Sequence, residues 1–582
     1  MISASREMTE ERRRLLGAER QGVSGASVTC CPHSRLSPPF PFCAEGGDGI
    51  GQSERSPIAK PAFGRHAPNG YKMNTEQAGS DESRSQRQPV EKADGVTAAE
   101  RYLARLCSKT FLSLWSYPGV YRDQGKPHNG GDGKEICDLL VVFDRHMIIF
   151  SDKHCQPRQS ENIGLDWQRW FRKAIQKSAE QVWGAERWLR QNPTRVFLDR
   201  KCEHALPIDL PRITDAEFHL VVVAHGISPR IKEAFNGSGS LFINTNIKGF
   251  EQHVVPFHVG DLALEKTFVH VLDDDSLELL MTQRDTISDF VAYLLKREAL
   301  LRGTPAIRAT GEEQLLAIYL RNFSGSGEHD FVFPNPPGGE RPSQIFVPEG
   351  HWEDFQQQPE RLEQLRQDRI SYAWDELIEK FNHYAMRGEQ YFVTDGGIKD
   401  TEKVLRFMAR EPRWKRRYLA HSLLEMLRTT PSHLRRLRVI PPVDKGDPYY
   451  VFLLLPIPRG ITDERYRLVR RNFLESCCAV ARLEYPDARD IVGIATESGV
   501  NNKGRSEDAI YFDGSHWTEE MATTARVHQE ELRILKSARR FEEQMEEYPA
   551  VHALPEEKNP RNKPCPCGSG KKYKHCCLNR LR

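Results

Sequence analysis

The chain has 582 residues, too many for one hydrophobic core, so we expect two large globular units with smaller appendages. Its 83 lysines and arginines nearly balance its 81 aspartates and glutamates, which excludes a global attraction to nucleic acid or anionic lipid and leaves only local patches as candidates. The longest apolar run, Tyr449 to Leu455, is far too short to cross a bilayer, and the first residues lack the apolar stretch of a signal peptide. We therefore expect a cytoplasmic protein without a membrane partner.

The first 95 residues are rich in Ser, Gly, Pro and Arg and show no sustained period. Such a segment cannot bury enough apolar surface to offset the entropy of ordering it, so 1–95 is predicted to be disordered. Met73 opens a more ordinary N-terminus, and a translation start at Met73 is an alternative to one at Met1.

Ordered structure is predicted for 96–300, in the order α-β-β-β-α-β. Apolar spacing predicts a helix from Thr97 to Trp115 and, later, a helix from about Asp166 to Gln191. Between them lie a short extended segment and the stretch Cys137 to Lys153, whose two apolar runs predict a β-hairpin, and a strand Phe218 to His225 completes the set. The fold class expected here is α/β (α+β).

The hairpin places an acid and an amine at its open end. In a tight antiparallel pair centred near Arg145, residue 138 lies opposite 151 or 152, so Asp138 becomes a cross-strand neighbour of Ser151 to Lys153. Alternation sends Ser151 and Lys153 to one face and Asp152 to the other. An unpaired carboxylate beside apolar strands is costly, which favours an ion pair, exposure or a bound metal. The plain alternative is a half-buried strand pair with solvated polar ends.

The order of elements, with Asp138 at the start of one strand and Lys153 at the end of the next, resembles the PD-(D/E)XK nuclease superfamily. This resemblance implies that Asp138 is a ligand of Mg²⁺ or Mn²⁺ and that Lys153 is the catalytic lysine. Ser151 stands where that family has a second acid. Asp152 or Glu135 is then the candidate replacement, and a site without catalysis is the alternative.

Two helices carry further candidates. Some members of that superfamily have a glutamate on the first helix, where this chain has Glu100, although Thr97 and Glu100 also have the spacing of a capping box. On the later helix Lys177 and Gln181 lie one turn apart, and related nucleases often place such residues toward the phosphate. The alternative is that both are boundary residues of an amphipathic helix.

Residues 305–547 are predicted to form a mixed α/β accessory domain of unknown role, without a catalytic constellation. The predicted elements are helices near Glu313–Phe323, Arg361–Met386 and Trp414–Leu427, strand Tyr449–Leu455, helix Glu464–Leu483, strand Asp490–Thr496 and a charged helix Thr518–Glu547. The strand, helix and strand between Tyr449 and Thr496 predict a β-α-β crossover. A proline-bearing linker over 548–562 leads to the tail.

The tail over 563–582 contains the spacing C-x-C-x8-C-C. A segment this short has no core, so metal binding must supply its folding free energy. The four thiolates of Cys565, Cys567, Cys576 and Cys577 form a set suited to a structural Zn²⁺, with His575 as an alternative ligand.

This spacing, with GSGKKYK between the cysteine pairs, resembles the SEC-C motif, which is found at the C-terminus of the SecA translocation ATPase and is appended to many other proteins. The resemblance implies zinc binding and docking to a protein or ribosomal partner. The chain lacks a GxxxxGK[ST] phosphate loop, which excludes a translocation motor.

Basic residues outnumber acidic ones from Arg410 to Arg438, with Trp414 and Tyr418 interleaved. Such a stretch is a candidate patch for DNA or RNA, since the cations contact phosphates and the aromatic rings stack on bases. Solvated helix faces have the same composition.

Two functions follow from these observations. The first is a metal-dependent nuclease that hydrolyses phosphodiester bonds and carries a zinc-binding tail. The second is a non-catalytic adaptor with a degenerate nuclease scaffold, whose tail docks a protein or ribosomal partner. Ser151 favours the adaptor, whereas Asp138 and Lys153 favour the enzyme.

Overall fold

The computed structural model describes most of the chain between residues 89 and 549. The described residues are 43–47, 89–124, 132–303, 305–325, 327–333, 342–392, 397–499, 505–541, 546–549, 571–572 and 575. Within the segment 1–95, for which we expected disorder, Cys43–Gly47 is an extended strand, β1, and 89–95 is also described. The rest of that segment lies outside the described residues.

Runs of strands and runs of helices follow one another along the chain. The first half contains α1 (Ala98–Phe111), β2 (Ser116–Arg122), β3 (Lys134–Phe143), β4 (His146–His154), α2 (Ile163–Phe171), a π-helical turn (Arg172–Gln176), α3 (Lys177–Gln191), β5 (Glu217–His225), α4 (Ser228–Phe235), β6 (Phe242–Lys248), β7 (His258–Asp261), β8 (Val269–Leu272), α5 (Asp274–Gln283) and α6 (Ile287–Arg302). The second half contains β9 (Ala306–Ala309), α7 (Glu312–Arg321), β10 (Gln344–Val347), α8 (His351–Gln356), α9 (Pro359–Asp368), α10 (Tyr372–Arg387), α11 (Ile398–Arg410), α12 (Arg413–Thr429), β11 (Arg436–Ile440), β12 (Tyr449–Leu455), α13 (Asp463–Glu484), β13 (Asp490–Glu497), β14 (Glu507–Asp513), α14 (Glu519–Glu531) and β15 (Arg539–Phe541).

The first sheet has the strand order β2-β3-β4-β5-β8. Strands β2, β3 and β4 are antiparallel neighbours, whereas β4, β5 and β8 run parallel. The predicted order α-β-β-β-α-β is confirmed, as is the α/β fold class. Helix α3 packs on β3, β4 and β5, and α1 packs on β2, β3 and β4.

Two further sheets complete the fold. One has the order β14-β13-β12-β11-β1-β15 and the other β10-β9-β6-β7. Strands β12 and β13 are parallel and α13 connects them, which confirms the predicted β-α-β crossover. No helix in the described part of the chain has both the length and the apolar character needed to cross a bilayer.

Two helices are shorter than the sequence indicates. The helix predicted over Arg361–Met386 is split into α9 and α10 by a 3₁₀ turn, where the Ser371 hydroxyl donates to the Asp368 carbonyl at 2.5 Å. The helix predicted over Thr518–Glu547 ends at Glu531, because Arg533 and Leu535 adopt positive φ angles of 51° and 56° and the chain then enters β15. Such φ angles cannot continue a right-handed helix.

The hydrophobic core of the first sheet continues into the second half of the chain. One cluster of buried side chains includes Leu103 of α1, Ile149 of β4, Trp374 of α10 and Phe452 of β12. The boundary drawn near residue 300 remains a prediction. It falls within a chain whose two halves share buried apolar contacts.

Candidate active site

The β3–β4 hairpin sets an acid opposite a serine. Leu139 pairs with Phe150, and this register continued by one residue places Asp138 opposite Ser151. Residues directly opposite each other share one face of an antiparallel pair, and alternation adds Lys153 to that face. The prediction that Asp138 neighbours the stretch Ser151 to Lys153 is confirmed.

Helix α3 supplies an amide to the same face. Ser151 is buried and its hydroxyl donates to Gln181 Oε1 at 3.4 Å. Asp138 Oδ2 accepts a hydrogen bond from the backbone N–H of Asp152 at 2.6 Å. A carboxylate, a hydroxyl and an amide therefore converge where the hairpin meets α3. The π-helical turn immediately before α3 is a feature often found near functional sites.

The acidic side chains near this face of the sheet repel one another. Burial, together with the negative charges of Asp152 and Glu100, raises the pKa of Asp138 to about 6, although the hydrogen bond from the Asp152 N–H opposes this shift. Partial burial and the charges of Asp138 and Glu100 raise the pKa of Glu135 to about 7. A cation placed among these acids would relieve the repulsion.

The candidate lysines are exposed. Lys153 lies near the end of β4, and within the described ranges no hydrogen bond or ion pair holds its ammonium group. Lys177 begins α3 one turn before Gln181 and is exposed as well. Neither side chain is buried, so a ligand can approach both ammonium groups from solvent.

Glu100 performs the structural task that its spacing indicates. Its Oε2 accepts from the backbone N–H of Val96 at 2.7 Å and of Thr97 at 3.3 Å, and the Thr97 hydroxyl accepts from the Glu100 N–H. This is a capping box at the start of α1. The carboxylate affects the charge of the site through its influence on Asp138 and Glu135, while its hydrogen bonds serve the helix.

Asp152 points away from Asp138. Its side chain is fully buried, and its Oδ1 lies 2.7 Å from Nε2 of His225 at the end of β5. His225 Nδ1 lies 2.5 Å from Oδ1 of Asp274, the first residue of α5, which also accepts from the Gly226 N–H at 3.0 Å. Burial alone would lower the pKa of His225, but the two carboxylates outweigh it and raise that pKa to about 9. Asp152 is thus held by a cationic imidazole, and the suggested twist toward Asp138 would break this pair.

Sequence reasoning missed His225 and Asp274 as partners of Asp152. A signal was present, since His225 ends one buried strand and the run Asp273 to Asp275 directly follows another. The carboxyl ends of neighbouring parallel strands meet at one edge of a sheet. Which strands are neighbours depends on tertiary structure, however, and the spacing along the chain does not specify it.

The basic stretch Arg410 to Arg438 is not an open patch. Most of its cations form ion pairs within the fold: Arg410 with Asp144, Arg413 with Asp285 and Asp375, Lys415 with Asp444 and Asp447, Arg416 with Asp375, Arg417 with Asp368, and Arg438 with Glu425. Arg416, Arg417 and Tyr418 are at most 2% exposed. The interpretation of this stretch as a nucleic-acid surface is therefore wrong for these side chains.

The cysteines of the tail, Cys565, Cys567, Cys576 and Cys577, lie outside the described residues. Comparison with known proteins identifies a motif in the tail. The SEC-C motif model matches residues 561–579. The chain is similar to the protein translocase subunit SecA of Campylobacter curvus (strain 525.92), with 69% identity over 32 residues. That similarity covers 6% of this chain and 3% of the SecA chain, so it concerns one short segment and not the rest of either protein.

Proposed function

We propose that the face formed by Asp138, Ser151, Lys153 and Gln181 hydrolyses phosphodiester bonds with the help of a hard divalent cation. The observation that carries this proposal is the hairpin register, which sets Asp138 opposite Ser151 and puts Lys153 on the same face. The resemblance of the element order to the PD-(D/E)XK nucleases supports it.

The residues present suit Mg²⁺ or Mn²⁺. Asp138 offers a carboxylate, Ser151 a hydroxyl and Gln181 an amide oxygen, all of them hard donors that such ions prefer. Glu135 adds a second carboxylate, and besides burial the nearby charge of Asp138 raises its pKa. When bound, the ion would activate water and offset charge on the phosphate. The serine in place of a second acid predicts weaker binding than a two-carboxylate site gives.

The protein groups have separate tasks in this proposal. Asp138 is oriented by the Asp152 N–H and holds the cation. Gln181 is oriented by Ser151 and supplies the neutral ligand. Lys153, on a flexible stem and exposed, holds a phosphate oxygen and positions the attacking water. His225 is a positioning residue, because its pair with Asp152 fixes the end of β4 that carries Lys153.

The test is cleavage of labelled DNA and RNA by the purified full chain with Mg²⁺ or Mn²⁺. Asp138→Asn and Lys153→Ala should each abolish cleavage. Lys134→Ala is the matched control, because Lys134 is an exposed lysine on the neighbouring strand and should leave cleavage unchanged. Cleavage that survives both of the first two variants would come from a contaminant or another site and would contradict the proposal.

A second candidate function rests on the SEC-C match over 561–579. We propose that the four cysteines hold Zn²⁺ and that the ordered tail docks a protein or ribosomal partner. This adaptor function is independent of Asp138. Its test is co-sedimentation of the full chain with ribosomes and capture of partners from a lysate, compared with Cys565→Ser plus Cys576→Ser. Loss of zinc without loss of any partner would contradict docking through the tail.

A further inference from the structure

A group of potential metal ligands lies at the end of the first sheet opposite the candidate active site. His146 begins β4, and Glu217 and His219 lie at the start of the parallel strand β5. The register pairs His146 with Glu217 and Ile148 with His219, so the three side chains meet across adjacent strands. Lys153 lies seven residues further along β4, about 23 Å away at about 3.3 Å per residue.

Two of the three separations between these potential ligand atoms are close to those that a small ion imposes. His146 Nδ1 lies 3.1 Å from His219 Nε2 and 3.3 Å from Glu217 Oε2. All three ligand atoms fall within 4.8 Å of one another. In a tetrahedral Zn²⁺ site, bonds of about 2.0 to 2.1 Å separate neighbouring ligand atoms by about 3.3 Å.

The surroundings hold this arrangement in place. His219 is 3% exposed and His146 is half-buried, so neither ring is free to turn into solvent. Glu217 uses its two oxygens differently, since Oε1 pairs with Arg145 Nε at 3.3 Å while Oε2 faces His146. Such an outer contact orients a ligating carboxylate.

The neighbouring turn ties the group to the second half of the chain. Asp144, in the turn between β3 and β4, pairs with Arg406 at 3.1 Å and Arg410 at 3.0 Å of α11. An ion held by His146, Glu217 and His219 would therefore fix the starts of β4 and β5 beside this junction.

We propose that His146, Glu217 and His219 form a site for Zn²⁺ or a similar borderline divalent cation, distinct from both the tail and the candidate active site. Two imidazoles and one carboxylate suit Zn²⁺ better than Mg²⁺, and three protein ligands leave one position for water.

Cobalt binding to the full chain tests this site. Thiolate ligands give Co²⁺ a strong near-ultraviolet charge-transfer band, which a site of two histidines and a glutamate lacks. In full-length protein carrying Cys565→Ser and Cys576→Ser, we expect about one bound Co²⁺ with visible d–d bands and no thiolate band. Adding His146→Ala or Glu217→Gln to that protein should abolish the binding of this Co²⁺ ion.

The chain offers a matched control in Asp199, Glu203 and His204, a second group of potential ligands. Its Asp199 carboxylate already accepts from the backbone N–H groups of Lys201, Glu203 and His204, and His204 is exposed. His204→Ala should therefore leave the binding of one Co²⁺ per chain unchanged.

The proposal is overturned if the cysteine variant binds no Co²⁺, or if binding survives both His146→Ala and Glu217→Gln. In those cases the 3.1 Å contact between the imidazoles is an ordinary hydrogen bond. Glutamine has nearly the same size as glutamate and the Glu217 side chain is partly exposed, so the Glu217→Gln protein should fold normally. A loss of Co²⁺ binding in this variant would therefore not reflect misfolding.

Discussion

At the scale of single residues, the buried charge of Asp152 has the largest consequence. Its side chain is fully buried, and neither of its oxygens receives an aligned hydrogen bond from the described residues, so the imidazolium of His225 is its principal compensation. Removing one partner of a buried ion pair leaves an uncompensated charge. We expect His225→Gln to lower the free energy of unfolding by about 3 to 5 kcal/mol, measured by urea denaturation. His154→Gln, at an exposed position nearby on β4, is the control, and equal losses in the two variants would contradict this account.

The same imidazole predicts how stability depends on pH. Its pKa is raised from 6.5 to about 9 in the folded protein. Because the folded chain binds this proton more tightly than the unfolded chain does, the contribution is complete below pH 6.5 and is lost as the pH rises through about 9. The free energy of unfolding should therefore fall across this window, by at most about 1.4 kcal/mol per pH unit. Denaturation series of wild type and His225→Gln would show it, since only wild type should have this slope.

The cap of α1 separates the two interpretations of Glu100. Thr97→Ala removes the hydroxyl that accepts from the Glu100 N–H, which should cost about 1 kcal/mol of stability in urea denaturation. Glu100→Gln keeps an oxygen able to accept from the Val96 and Thr97 N–H groups, so it should be nearly neutral for stability. If Glu100 serves only the cap, Glu100→Gln also leaves the proposed nuclease activity unchanged. A loss of activity in a stable variant would show that Glu100 also acts at the candidate site, where its charge contributes to the raised pKa of Asp138 and Glu135.

At the scale of elements, helix α12 lies within the fold, and its buried Arg416 and Arg417 pair with acids of two other helices. Arg417 is 2% exposed and pairs with Asp368 of α9 at 3.1 Å. Arg417→Ala should destabilise the protein by about 3 to 5 kcal/mol in chemical denaturation, because it leaves Asp368 buried without its partner. Arg428→Ala changes an exposed arginine of the same helix and should have little effect. A stable Arg417→Ala protein that had lost affinity for an oligonucleotide would restore the idea of a basic surface.

The contrast between α12 and the hairpin shows what the sequence can predict at this scale. The hairpin follows from local alternation and a short turn, so the opposition of Asp138 and Ser151 could be anticipated to within one residue. Whether Arg416 and Arg417 are exposed or form buried ion pairs depends on Asp375 and Asp368. These acids lie about forty to fifty positions away in the sequence and come close only when the helices pack. Composition alone makes a buried ion-pair network look like a solvated basic face.

The same limit applies to Asp152. Alternation places it on the face opposite Ser151, as expected, but its partner His225 is brought to it by the parallel pairing of β4 with β5. The cap of α1 needs only four consecutive residues and was correctly anticipated. Local hydrogen bonds and strand alternation were therefore predictable, whereas contacts between distant strands and helices were not.

At the scale of the whole molecule, the candidate active site and the His146 group occupy opposite ends of one sheet, and helix α11 of the second half contacts the end that carries the His146 group. Trp115 Nε1 donates to Glu402 of α11 at 2.9 Å, and the turn at Asp144 contacts Arg406 and Arg410 of the same helix. The helices after residue 305 therefore support the sheet that carries the candidate site. This arrangement gives the accessory region a structural task independent of any ligand.

This shared core predicts how the body of the protein unfolds. Chains of this size commonly unfold in several steps, because separate domains melt separately. Here one apolar cluster includes Leu103 of the first half and Ile494 of the second, and Trp115 of the first half donates to Glu402 of the second. We expect one calorimetric transition for the body, with equal calorimetric and van't Hoff enthalpies. Trp115→Phe, which removes the hydrogen bond to Glu402, should lower the midpoint of that whole transition instead of splitting it. Phe473→Leu, which alters a partly buried side chain of a different cluster, is the comparison. Two resolved transitions in wild type would show that 96–300 and 305–547 are independent domains after all.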